Sequence, residues 1–527
     1  MKRILCLLLL GSATICFGAP VENEVYFRAM KDEMNRTLKE LRLPGEAKPF
    51  YVAYWIRERF QFRREASLGV LSTITPLEQD WLVQGVVEVG TEQDSSRGFA
   101  RSEEMKIGLW TPVSYEALRT QLWKLSNRLY LDSLERYKQK KAYLRTKNIQ
   151  NKLPDWVPAK QGVSIEEITP WQQPDSARLE AWLQKVSAWG KDVKFLENFT
   201  VFGEEMRRND YFLNSLGGKF QTTLTQNYIT VSAEFRQPDG YRERESRQFL
   251  VKDFSVQQLA ATEQKIQEFF TDMQALYGAK TGEAYVGPVL YKPAAAKSFL
   301  KILLFNELNK TVPYFVQDND EDMQASPWRK KLGQRILSPG IAIYDRPQET
   351  EFEGIGLMHW NVDFEGVPTQ ELVLVGKNGR LEQLPLGQRP LAKKHASNGH
   401  IFLLDEIAPR EGLSNVFVEP EHPLTDEQME EKLLARCQEL ELEYCYIAHT
   451  SNDFERVYTK DGHKERIVGL EDANLSARSL RDIEAAGGSR KVFLGWPILI
   501  TPSLLVNEVE VLPRDRKPGR KPFIAKP

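Results

Sequence analysis

The chain has 527 residues, 41% of them apolar and 27% charged, which excludes a disordered or fibrous protein and allows roughly two to four domains. Its 71 Lys and Arg nearly cancel its 73 Asp and Glu, so no whole-chain field directs it to nucleic acid or to an anionic membrane.

The N-terminus carries the clearest local signal. Lys2 and Arg3 precede the apolar run Ile4–Leu10, and small residues follow at Gly18 and Ala19. This is the tripartite pattern of a secretory signal peptide. Pro20 disfavours cleavage after Ala19, so the cut is placed after Gly18. The run falls short of the roughly 20 residues that span a bilayer, and no later stretch is long and apolar enough to cross one. The expectation is a periplasmic or secreted protein. Two of the four cysteines fall in this segment, leaving Cys437 and Cys445. An oxidising compartment permits a disulfide between them. Their places on a helix and on a strand favour two separate buried thiols.

Apolar residues at Val25, Met30, Met34 and Leu38 have helical spacing, and Pro44-Gly45 stops that helix. Aromatic and β-branched runs predict strands over Phe50–Trp55, Leu68–Ile74 and Trp81–Val89. A long helix is expected from Ser114 to Arg145, with Leu118, Leu122, Leu125, Leu129 and Leu134 facing inward and the basic patch Lys138–Lys141 in solvent. A second helix spans Ser176–Trp189, and strands follow over Phe220–Leu224, Tyr228–Phe235 and Phe249–Val251. Ser255 with Gln258 reads as a capping box that opens a helix ending near Gly278. The main boundary falls at Ala279–Gly282.

The stretch Glu283–Thr311 then gives a strand over Ala284–Tyr291, a Lys292-Pro293 break, and a helix apolar nearly all round, which predicts burial. Beyond it, strands are expected at Ile336–Tyr344, Leu357–Phe364, Glu371–Gly376 and Arg380–Leu386, the last two joined by Asn378-Gly379. Ser414–Val418, Tyr444–His449, Arg456–Thr459, Arg466–Leu470 and Leu504–Leu512 also read as strands. Thr425 with Gln428 caps a further helix. The fold class is α+β: a signal peptide over 1–18, an N-terminal domain of α/β type with long helices over 19–280, a mainly antiparallel β domain over 281–513, and a basic Pro-rich tail over 514–527.

The residues themselves present no evident catalytic constellation. H-E-x-x-H, G-x-S-x-G, a Walker loop and G-x-G-x-x-G are all missing. The one close histidine pair, His395 and His400, is separated by the turn Ser397-Asn398-Gly399, with no Glu following His395 as a base. A polar loop describes it better than a metal site, although relocated ligands at these two residues stay open as an alternative.

Several ordered motifs carry a resemblance. Gly287-Pro288-Val289-Leu290 leads through Ala294-Ala295-Ala296 into a helix; Leu332–Leu337, Glu365-Gly366-Val367-Pro368, Ser397-Asn398-Gly399-His400 and Ser414–Val418 follow, and Tyr211-Phe212-Leu213-Asn214-Ser215 lies upstream. In this order they resemble the TldD/PmbA family of metallopeptidase-related proteins. The resemblance implies a cleft for an extended peptide, a dimer, and in active members a zinc ion on H-E-x-x-x-H with a cysteine as third ligand. The matching positions here are Lys301-Ile302-Leu303-Leu304-Phe305-Asn306. Lys301 is a cation and Ile302 can neither take a proton nor activate a water. The expectation is a chain with no catalytic residues, metal ligands or cofactor of its own, like the family's PmbA (TldE) subunit, which pairs with an active TldD. A purely structural envelope protein is the further alternative.

Overall fold

The computed structural model describes residues 23–72, 78–97, 107–109, 114–149, 153–308, 330–389, 396–403 and 409–514. The signal-like segment therefore lies outside the described residues, as does nearly all of the basic tail.

The N-terminal half is one sheet with helices over one face. Its elements are α1 (Glu24–Glu40), β1 (Pro49–Ser67), β2 (Glu78–Val89), α2 (Tyr115–Thr146), α3 (Ser176–Ala188), β3 (Leu196–Asn214), β4 (Lys219–Arg236), β5 (Arg242–Val251) and α4 (Val256–Leu276). The strand order is β2-β1-β3-β4, all antiparallel. The far edge of β4 is shared: Val163–Ile165 pairs with Lys219–Gln221, and β5 pairs with Asn227–Arg236.

Side-chain alternation along these strands sends one set of residues to the helices. Val52, Tyr54, Ile56 and Val83 meet Leu118, Leu122 and Leu125 of α2. Phe62, Val201, Ile229 and Val231 meet Leu179, Leu183, Ile266 and Phe269 of α3 and α4. On the opposite face Trp55, Phe212 and Phe220 pack against Trp360, Phe364 and Phe402 of the C-terminal half.

The strand predicted over Phe50–Trp55 runs on to Ser67. Its continuation is charged, and several of its charges find partners across the sheet. Arg57 holds the buried Asp210 by two bonds of 2.7 and 3.1 Å, and Arg59 pairs with Asp80. Of the strand predicted over Leu68–Ile74, Val70–Leu71 pairs back on Ala66 and Ser67, because Leu68 and Gly69 take positive φ and turn the chain; Thr73 and Ile74 lie outside the described residues. Lys140 departs from the solvated basic patch. It is fully buried, 2.8 Å from Asp155, and donates to the carbonyls of Ser95 and Arg97.

Among the described residues the C-terminal half has two small two-stranded sheets and two large ones. One contains β6 (Tyr285–Tyr291), β10 (Tyr444–Ala448), β11 (Phe454–Tyr458), β12 (Lys464–Val468) and β15 (Leu504–Pro513), in the order β15-β6-β10-β11-β12. The other contains β7 (Ile341–Asp345), β8 (Leu372–Val375), β9 (Asn415–Pro420), β13 (Lys491–Phe493) and β14 (Ile498–Thr501), in the order β8-β7-β9-β14-β13. Helix α5 begins at Pro293 between them, and its Phe299, Leu300, Leu304 and Phe305 fill the core they share. The connection Lys280–Thr281 is itself a short strand, parallel to Ile467–Val468.

Leu357–Phe364 is loop rather than strand, and after the Asn378-Gly379 turn only Arg380 and Leu381 pair. Helix α6 (Asp426–Glu439) has the full capping box of Thr425 and Gln428. At Ser255 only half of one forms, because Asp253 takes the backbone N–H that Gln258 was expected to take. Cys437 of α6 and Cys445 of β10 are joined by a disulfide, against the expectation of separate thiols. No helix among the described residues is long and apolar enough to cross a membrane.

Candidate functional site

Helix α5 starts where Pro293, at the first helical position, fixes φ and needs no hydrogen-bond acceptor. It runs as α-helix through Leu300 and then widens into a π turn over Lys301–Phe305, closed by the Asn306 N–H bonding to the Lys301 carbonyl. A π turn stacks residues five apart, so Lys301 and Asn306 share one side. That is the geometry H-E-x-x-x-H needs to aim both histidines at one point. Leu303, Leu304 and Phe305 are buried, as expected, but the expectation of burial all round fails on the other face. Lys301 and Asn306 are exposed, and Ile302 is 56% exposed.

The donor set there does not fit zinc. A protonated amine, a butyl side chain and a neutral amide offer none of the imidazole, thiolate or carboxylate ligands the ion takes. Lys297, one α turn earlier, is half-buried with its ammonium 5.4 Å from the Phe493 ring centroid. Burial lowers its pKa, and the charge of Lys301 lowers it further.

Next to Phe493, Leu494 lines a cavity of about 210 Å³ between the two halves. Thr225, Gln226, Asn227 and Lys252 form its N-terminal wall, and Gly354, Ile355 and Gly356 the other. It lies where β5 stops pairing with β4. From Thr222 to Gln226 no strand among the described residues pairs with that edge of β4. Nearby, the Glu166 carboxylate accepts from Thr222 Oγ1 at 2.8 Å and lies 2.9 Å from His359 Nε2. Burial opposes the charge on His359, but the Glu166 bond outweighs it and holds the imidazole pKa above its ordinary value.

His400 does not stand free as a ligand. It is fully buried, its Nδ1 is 2.9 Å from the Asn398 carbonyl and its Nε2 is 3.2 Å from Asp345 Oδ2. Asp345 also accepts from the Ser414 and Asn415 backbone and from Ser414 Oγ. His395 lies outside the described residues. Among the described residues no group of three or more His, Cys, Asp or Glu could hold a metal ion.

The other motif residues build the joint between the halves. Asn214 Nδ2 donates to Gln161 Oε1 and to the Glu365 carbonyl, both at 2.8 Å, while its Oδ1 accepts from Leu216 and Gly218. Gly218 and Gly366 press backbone to backbone: a Cβ on Gly366 would lie 2.8 Å from the Gly218 Cα. Asp363 accepts from the N–H groups of Glu365, Val367 and Ile401, against a burial that pushes its pKa up to about 7. Arg97 pairs with Glu365 and lies over Trp156. Nothing in composition or spacing marked Arg97, Glu166 or Asp345, because the partners of their side chains lie far along the chain.

Residues 283–462 match the family model described as the PmbA/TldA metallopeptidase C-terminal domain. No curated protein matches the chain. Among solved structures, a candidate modulator of a DNA gyrase from Thermotoga maritima aligns with a TM-score of 0.61 at 16% identity, over 92% of this chain and 100% of that one. TldE from Thermococcus kodakarensis aligns at 0.59 and 14%, over 92% and 100%. A candidate gyrase modulator from Bacteroides thetaiotaomicron aligns at 0.56 and 12%, over 92% and 98%. At these identities the structures speak for the fold alone, and the family match is carried by residues 283–462, which are similar to the PmbA/TldA metallopeptidase C-terminal domain.

Proposed function

We propose that this is an exported, non-catalytic member of the TldD/PmbA family that holds an extended peptide and serves as a partner subunit in a dimer, with itself or with a catalytic family member. The observation that carries the reading is the outer face of α5. It keeps the π turn that would converge two ligands, but presents Lys301, Ile302 and Asn306. A lysine four carbons from the backbone repels a dication, and no group at position 302 can act as base.

Peptide binding is supported by the edge of β4 beyond Thr223, whose own N–H is taken by Glu166; no described strand pairs with residues 224–226, which lie beside the cavity between the halves. An extended segment can add to such an edge through backbone hydrogen bonds. Export is supported by the N-terminal charge and hydropathy pattern, and by the Cys437–Cys445 disulfide, a bond that persists in oxidising compartments. The reading with ligands relocated to His395 and His400 is disfavoured by His400, whose ring is buried against Asp345 and Asn398.

The test is a pull-down from the native cell envelope, combined with binding of unfolded peptides to the purified chain. The expected result is recovery of a family member carrying H-E-x-x-x-H, or a homodimer, with peptides bound and left intact. A monomer that ignores both peptides and envelope proteins contradicts the reading.

A further inference from the structure

The halves meet through titratable groups at two separate places. At the first, Arg466 of β12 reaches Asp272 of α4 at 2.8 Å, and its other terminal nitrogen holds Asp453 at 2.8 Å. Asp272 is also held by Arg247 of β5 at 2.6 Å. Glu455 lies 3.8 Å from Arg466 Nε and 3.6 Å from His449 Nε2. Glu245 of β5 belongs to this cluster. It lines a cavity of about 50 Å³ between the halves, with Glu243 and Arg244 on its own side and Asn452 and Arg514 on the other. Among the described residues the Glu245 carboxylate has no hydrogen bond or ion pair. The two arginines whose charge reaches it are already paired, Arg247 with Asp272 and Arg466 with Asp272 and Asp453. A charge on Glu245 therefore meets that of Asp453, which is 2% exposed on the opposite half, and that of Glu243 beside it.

At the second place His359 of the C-terminal half meets Glu166 of the N-terminal half, Nε2 to Oε2 at 2.9 Å. Thr222 Oγ1 donates to the same carboxylate oxygen at 2.8 Å. Glu166 is the charged group that His359 faces, and the Leu357 carbonyl lies 3.5 Å from its Nδ1. The pair is ionic only while the imidazole holds both protons. The two places respond to pH in the same direction. Burial, Asp453 and Glu243 push Glu245 up to about 7. Its folded pKa is above its unfolded value, so its contribution is complete below about pH 4.5 and is lost as pH rises toward 7. Burial lowers the His359 pKa, but the hydrogen bond and charge of Glu166 raise it above the ordinary value. Its contribution is complete below about pH 6.5 and is lost as pH rises through the folded pKa.

We propose that these two contacts form a proton-sensitive seam between the halves, closed in mild acid and loosened as the pH rises through neutrality. Above neutral pH, Glu245 and Asp453 repel across the first contact. At the second, a neutral His359 leaves Glu166 a hydrogen bond in place of an ion pair, and a hydrogen bond to a charged group is the stronger of the two when both partners are charged. The cavity of about 210 Å³ lies between the same halves, so a looser seam widens the way into it. The inference does not depend on what occupies that cavity.

The test is amide hydrogen exchange of the full mature chain at pH 6 and pH 8, corrected for the intrinsic pH dependence of exchange. Two backbone groups report on the seam. The Gly282 N–H bonds to the carbonyl of Val468, which lines the same small cavity as Glu245. The Gly162 N–H bonds across the halves to the Gly366 carbonyl, near the contact of Asn361 with Ser164 that flanks the His359–Glu166 pair. In the wild type the protection of both is expected to fall about tenfold from pH 6 to pH 8, while α2, which touches neither contact, keeps its protection. Glu245→Gln carries no charge at either pH and is expected to keep Gly282 protected at pH 8. His359→Gln is expected to bring Gly162 at pH 6 down to its wild-type level at pH 8, without moving Gly282. Equal protection at both pH values in the wild type overturns the inference. So does a fall that both variants leave unchanged, or one of the same size in α2, which would make the change global.

Discussion

Two parts of this molecule carry family-like sequence and treat it differently. At the joint between the halves, Asn214, Gly218, Asp363 and Gly366 are locked by hydrogen bonds and by direct backbone contact. On the outer stripe of α5, Lys301, Ile302 and Asn306 face solvent, and the buried Leu303, Leu304 and Phe305 hold the helix without them. Residues whose role is chemical can be replaced at almost no structural cost when they stand on an exposed face. Residues that satisfy buried donors and acceptors of another segment cannot. The chemistry of such an exposed face can therefore change while the fold that presents it stays.

The contrast is sharpest at the joint. Gly366→Ala places a methyl group at 2.2–2.8 Å from Gln161, Asn214 and Gly218, at a residue with φ of 82°. The expected outcome is loss of soluble, folded protein, read by expression level and near-UV circular dichroism. Asn214→Ala strands the buried Gly218 N–H, while the Glu365 carbonyl keeps Gln388 Nε2 as a donor. At about 1–3 kcal/mol for a buried group left unpaired, a destabilisation of about that size is expected in urea denaturation.

A smaller effect separates the two halves by pH. Burial, reinforced by Asp453 and Glu243, pushes Glu245 up to about 7, only partly opposed by Arg247 and Arg466. Its folded pKa is above its unfolded value. The stability tied to its proton is therefore complete below about pH 4.5, and is lost as pH rises toward 7. Glu245→Gln is expected to raise the melting temperature at pH 8 by a few degrees and to change little at pH 4.5. Equal shifts at both pH values would show that burial of the charge is not the cause. The smallest effect belongs to the stripe: Lys301→Ala and Ile302→Ala are each expected within about 0.5 kcal/mol of wild type in the same denaturation assay.

Much of this was legible in the sequence. Helical spacing placed α1 and α2, Thr425 capped its helix where its side chain suggested, and the ordered motifs pointed to the family whose C-terminal domain matches residues 283–462. What escaped was set by distant partners. β1 continues through Arg57 and Arg59 because Asp210 and Asp80 lie opposite, and neither carboxylate announces itself along the chain. Lys140 sat in a run that reads as solvent-facing until Asp155 is brought beside it. The apolar character of α5 concealed its open face, since Ile302 counts as apolar wherever it points. Cys437 and Cys445 are only eight residues apart, and whether they bond depends on how α6 lies on β10.

The most direct test of the central claim is a paired measurement on the mature chain purified without chelators: metal content by mass spectrometry of the elements, and the fate of an unfolded peptide incubated with it. A non-catalytic binding subunit predicts zinc far below one per chain and a peptide that is bound but recovered intact, with the same affinity in EDTA. One zinc per chain together with cleaved peptide, both lost in EDTA, would contradict it.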